Sequence, residues 1–139
     1  MSADRIIGCL VRGAQAGLIY ALAMLLYTHL VTANVTRLHD LDFGVFQNLI
    51  PFALIGLGFG GLLGVADAYL NAHARRVPPW VLAGAIWGVF ALPTLLLTLT
   101  QPERYEFALW QHAQGLAFAV FLGLAYSGLR RLDTREMTS

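Results

Sequence analysis

Four stretches of this chain, about Gly13–Ala33, Leu49–Leu70, Trp80–Thr100 and Ala108–Leu129, are almost free of charge. Each reaches the roughly 20 apolar residues that a helix needs to cross ~30 Å of hydrocarbon. None alternates polar with apolar, and each is about twice the length of a barrel strand, which excludes a membrane β-barrel. Water offers no alternative: with 58% of residues hydrophobic and 12% charged, 139 residues cannot enclose that much apolar surface. The expected fold is therefore all-α, a polytopic membrane protein of four transmembrane helices forming one membrane domain over 1–139. The first apolar run is too long for the core of a signal peptide, so an uncleaved first helix is expected.

Arginine sets the orientation. All nine basic residues are arginine, and Arg5, Arg12, Arg75, Arg76, Arg130, Arg131 and Arg135 flank the N-terminus, the second connection and the C-terminus. Arg37 and Arg104 fall on the other side. Positive charge is retained on the cytoplasmic face, so both termini are expected inside, in a bacterial cytoplasmic membrane. The lipid bilayer is the first partner implied, and nothing in the composition suggests nucleic acid.

The chain repeats itself. "DFGVFQN" (Asp42–Asn48) is echoed by "EFALWQH" (Glu106–His112), and "GLIYALAML" (Gly17–Leu25) by "GAIWGVFAL" (Gly84–Leu92). This pattern predicts two tandem helical hairpins, about 13–71 and 80–130, with a linker at 72–79 and a cytoplasmic tail at 131–139. A hairpin of two crossings returns to its starting side, so a tandem copy keeps its orientation and the halves should be related by a pseudo-two-fold axis along the membrane normal. Asp42 then answers Glu106, Gln47 answers Gln111, and Asn48 answers His112.

Small residues recur every fourth position: Gly13, Gly17 and Ala21; Gly56, Gly60 and Gly64; Gly84 and Gly88; Gly115, Ala119 and Gly123. That spacing lays each set along one stripe, where neighbouring backbones can approach and gain contacts that lipid does not supply. A tight face is thus expected on every helix, with self-association or docking to other membrane subunits as a consequence. Pro93 should bend the third helix and free the carbonyl near Val89 for a threonine or water. Trp80, Trp110, Tyr105 and Tyr27 are expected as interface anchors.

Motifs of soluble enzymes are missing: there is no G-x-S-x-G, no HExxH and no CxxC, and without lysine neither a phosphate-binding loop nor a Schiff base can form. A non-enzymatic protein is expected. The lone Cys9 allows no disulfide within the chain. What remains is an outer polar layer. His29, His112, Asp42 and Glu106 would offer nitrogen and oxygen ligands suited to a divalent transition metal, with Gln47, Gln111, Asn48 and Gln114 around them and His39 and Asp40 at the entry. The alternative is that charge sorting leaves the acids outside and that the interfacial histidines and glutamines bond to neighbouring loops. A haem held by His29 and His112 is a further reading. Asp67 is the one acid well inside a span, either a relay or coupling group or one partner of an ion pair with Arg12 or Arg130.

The run "GAIWGVFALP", followed after a short acidic loop by "LWQHAQGLAFAVFLGLAY", resembles the predicted cobalt-transporter subunit family of small bacterial membrane proteins. The resemblance covers about half the chain and implies a role in cobalt uptake. The histidine-rich loop of that family has "HDLD" as its counterpart here. Three functions follow as expectations: a permease-type or transporter-subunit protein for a small cation or solute; a non-catalytic accessory subunit of a larger membrane complex; and a haem or metal protein of electron transfer.

Overall fold

The computed structural model describes residues 3–32, 43–72, 77–101, 103 and 106–136; the side chains of 29, 31–32, 43–48, 106–108 and 133–136 lie outside that description. The chain forms four helices, α1 (Ala3–Thr32), α2 (Phe43–Leu70), α3 (Pro79–Thr100) and α4 (Glu106–Glu136). Each contains a segment long and apolar enough to cross a membrane: Ala3–Thr28, Leu49–Leu70, Pro79–Thr100 and Leu109–Leu132. The first begins ten residues before the expected Gly13, because Arg5 and Arg12 interrupt the apolar run without breaking the helix.

Burial runs in the sense that lipid requires. Val89, Ile50 and Phe90 are 72%, 68% and 67% exposed, whereas Asp67 and Thr98 are 3% and 2% exposed. A bundle with its largest aliphatic side chains outside and a carboxylate inside would aggregate in water, and it suits hydrocarbon.

The most extensive packing is α1 on α2, followed by α3 on α4, then α1 on α4, with little between α2 and α3. In the first hairpin the glycine stripes of α1 and α2 meet directly. A Cβ built on Gly13 would strike the Gly60 carbonyl and one on Gly17 that of Gly56, while Gly56 and Gly60 would meet Gly17 and Gly13 in return. Gly64 lies in the same way against the Cys9 backbone. With no side chains between them, the two backbones themselves form the interface, as small-residue packing in membranes allows.

The second hairpin closes differently. Gly123 receives the backbone of α3, with Trp80 N 2.6 Å and Pro79 O 2.7 Å from where its Cβ would be, and Gly115 receives the Trp87 indole. Gly84 meets only Leu116 at an ordinary 3.7 Å and Gly88 meets nothing within 4 Å. The expectation of a tight face on every helix therefore fails at α3. The helices close backbone to backbone at Trp80, and about two turns further on the Trp87 indole, seated on Gly115, occupies the contact in place of Gly84 and Gly88. All four helices meet in one core of Ala16, Tyr20, Leu63, Leu82, Ala83, Leu122 and Tyr126. Tyr20 sits edge-on to Phe59 and Phe118 with ring centroids 5.9 and 6.2 Å apart.

The connection between α2 and α3 is built to turn. Proline at α3's start fixes a favourable φ where no helical N–H is required, and Pro78 O accepts from the N–H groups of Val81 and Leu82 at 3.0 and 3.2 Å. Within α3, Pro93 interrupts the backbone ladder. Thr94 donates to Ala91 O at 2.9 Å and Thr98 to Thr94 O at 2.8 Å, so the threonines serve carbonyls later in the helix than the one expected near Val89.

Candidate functional site

Among the described residues, polar side chains converge in a buried network around Asp67, at the end of the bundle where α1 begins. Asp67 lies in the last turn of α2, on the stripe of Gly60 and Gly64, which aims it inward. Its Oδ2 accepts from the Tyr126 hydroxyl at 2.9 Å, and its Oδ1 pairs with Arg130 Nη1 at 3.4 Å. The Asn71 amide donates to the same Oδ1. Asn71 then accepts from the Val77 N–H at 3.0 Å, tying the end of α2 to the approach of α3. Tyr126 and Arg130 stand four apart on α4 and so share a face.

A carboxylate in hydrocarbon is costly unless paired and hydrogen-bonded. Here both oxygens have donors, one of them charged. Of the two arginines anticipated for Asp67, Arg130 makes the ion pair; Arg12 lines the same recess of about 220 Å³, together with Asp4, Arg5, Cys9 and Arg130. That recess brings the first turns of α1 beside the C-terminal part of α4 at one end of the bundle. Tyr126 and Asn71 were not foreseen. Tyr126 follows a long apolar run and reads as an interface aromatic like the others, whereas Asn71, four residues after Asp67, is at a spacing that permits an i,i+4 bond.

Toward the opposite end, the layer expected to bind metal is only partly described. The side chains of His29, Glu106, Gln47 and Asn48, and Asp42 as a whole, fall outside the described residues. His112 is placed, and its ring turns to α3: it lies edge-on to Trp87 at 6.1 Å, and its Nε2 is 3.5 Å from Thr98 Oγ1. Thr98 Oγ1 also lies 2.8 Å from Thr94 O, so the hydroxyl links the α3 backbone to the His112 ring. Both groups that engage His112 belong to α3, rather than to the α1 that carries His29. Among the described residues no group of three His, Cys, Asp or Glu side chains is placed to hold a metal ion.

Gln114, two residues on, points to α1, where its amide donates to the Tyr27 hydroxyl. Tyr27 also meets Phe118 edge-on at 5.2 Å. Tyr27 thus ties α1 to α4, a role beyond that of the interface anchor expected for it, and Gln111 is exposed. Beside this pair an apolar groove of about 650 Å³ opens between α1 and α4, lined by Ala23, Tyr27, Trp110, Ala113, Ala117 and Phe121 among others. Ala113 and Ala117 are four apart and keep its floor low. The chain matches no protein-family model, no curated protein and no solved structure.

Proposed function

We propose that this chain is a non-catalytic accessory subunit of the bacterial cytoplasmic membrane, one that presents helical surface to a further membrane protein or to a second copy of itself. The observation that carries the reading is how the polar and small groups are used. The interior is spent on the bundle's own closure: glycine carbonyls press on glycines across α1 and α2, and the Asp67 carboxylate is engaged by Tyr126, Asn71 and Arg130. An apolar groove of about 650 Å³ among the described residues instead faces outward between α1 and α4. A transmembrane helix fits against alanines where two backbones can approach.

Within this reading the bundle is a duplicated hairpin with both termini in the cytoplasm. The arginine distribution supports the orientation. One close contact in each hairpin supports the duplication: Gly13 rests on Gly60 in the first, and Trp80 on Gly123 in the second. Aligning Gly17 with Gly84 pairs Gly13 with Trp80, and aligning Asp42 with Glu106 puts Gly60 one position from Gly123.

A second reading, a transporter component for a small cation, is favoured by one feature, the intramembrane Asp67 at the floor of a polar recess. The resemblance to predicted cobalt-transporter subunits leads the same way. In this reading the carboxylate exchanges Arg130 for the cation.

Photo-crosslinking in cells separates the two. A photoreactive residue at Ala117, in the groove, should give a discrete protein adduct, whereas one at Val89, on the open face of α3, should not. Differently tagged copies tell self-association from docking to another protein. Identical patterns from both positions would reject the accessory reading, and cation flux into liposomes that is abolished by Asp67→Asn would establish the transporter reading in its place.

A further inference from the structure

We infer that the end of the bundle where α1 begins binds the headgroup of an anionic phospholipid with two phosphates. Two recesses lie side by side there. One, of about 220 Å³ between α1, α2 and α4, is lined by Arg5, Arg12 and Arg130 with Asp4 and Asp67. The other, of about 340 Å³ between α3 and α4, is lined by Arg130 and Arg131 with Pro79 and Ser127. Arg130 belongs to both, so the two form one bipartite surface centred on α4.

Among the described residues four guanidinium groups face two carboxylates across this surface, an excess of two positive charges, which matches two phosphodiester anions. The excess is usable because Asp67 is already engaged by Tyr126 and Asn71 as well as by Arg130. Arg12, Arg130 and Arg131 also engage protein groups, and a guanidinium has five N–H donors to divide between a protein partner and a phosphate. Ser127 spends its hydroxyl proton on Gly123 O at 2.8 Å, so in the second recess the arginines are the donors.

The surroundings select lipid over a free anion of the same chemistry. Around these arginines the helices expose Ile7, Val11, Tyr69 and Leu132, 56%, 50%, 60% and 57% respectively, an apolar flank along which acyl chains can lie while the phosphates meet the guanidinium groups. Basic pockets between transmembrane helices on the cytoplasmic side recognise headgroups by this combination.

The test is native mass spectrometry of the full chain released from micelles containing tetraoleoyl cardiolipin, dioleoyl phosphatidylglycerol or dioleoyl phosphatidylcholine. Cardiolipin should be retained at least about 25-fold better than phosphatidylcholine, at about fivefold for each of the two excess charges, with phosphatidylglycerol between them. Arg5→Gln combined with Arg131→Gln leaves the Arg130–Asp67 pair in place, and circular dichroism verifies its folding. It should lower cardiolipin retention about 25-fold, at about fivefold per charge, and leave phosphatidylcholine unchanged. Equal retention of all three lipids, or unchanged cardiolipin retention in the double variant, would overturn the assignment. Cardiolipin and phosphatidylglycerol bound equally well would remove the two-phosphate requirement. Displacement of cardiolipin by millimolar inorganic phosphate would give the site to a free anion.

Discussion

Adding a single methyl group to Gly60 should open the first hairpin. A Cβ there would lie 2.9 Å from the Gly17 Cα and 2.9 Å from the Gly13 carbonyl carbon, and closer still to the Gly13 oxygen. Carbon atoms rest at about 3.5–4.0 Å, so the carbon contacts alone force a separation of roughly 0.6–1 Å in Gly60→Ala, and the Gly13 oxygen asks for more. The obstructing atoms are backbone on both counts and have no rotamer to which they can retreat. A gap of that size forfeits a quarter to a half of each contact's attraction, and it is shared along the stripe by Gly13, Gly17, Gly56 and Gly64. A destabilisation of about 1–3 kcal/mol is expected, the range for overpacked sites. Gly58→Ala is the control on the same helix, since nothing lies within 4 Å of its Cβ position; it should be as stable as the parent or more stable by up to about 1 kcal/mol. Both changes share the helix-propensity gain from glycine to alanine, so their difference isolates packing. Unfolding in SDS mixed micelles, followed by circular dichroism, measures it. If the two variants are equally stable within about 0.5 kcal/mol, the backbones of α1 and α2 are not in contact at Gly60.

Two further expectations concern the Asp67 network. Tyr126→Phe keeps the ring in the core and removes the donor to Asp67 Oδ2; the bond is charge-assisted, but hydrogen bonds between helices in membranes are weak on average, so a loss of about 1–2 kcal/mol is expected in the same unfolding assay. Asn71→Ala cuts the bridge from Asp67 to the Val77 N–H. It should cost about 1 kcal/mol and increase amide exchange at Val77 specifically, and unchanged exchange there would count against the bridge.

The spans were legible because length and lack of charge depend on no neighbour. Leu49–Leu70 is both the segment read from the sequence and the membrane candidate of α2. The pairing of Asp67 with Arg130 was also within reach, since a lone acid inside a span needs a cation and few lie at its depth. The direction of individual side chains about a helix was less accessible. His112 and Gln114 are neighbours in the sequence and were placed in one layer, yet they stand about 200° apart on a helix at 100° per residue, and one meets α3 while the other meets α1. Glycine spacing showed which residues could pack, and the partner's bulk decided which did. Gly17 met Gly56 and closed, while Gly88 faces open space.

The whole bundle depends on its helices crossing the bilayer in alternation, and cysteine accessibility tests that directly. Ala72 follows α2, Glu103 follows α3, and both are exposed, whereas the native Cys9 is buried. In sealed vesicles treated with a membrane-impermeant maleimide, Ala72→Cys should react only from the cytoplasmic side and Glu103→Cys only from the opposite side. Labelling of both from the same side would mean that α3 does not cross, and the four-span bundle would fall with it.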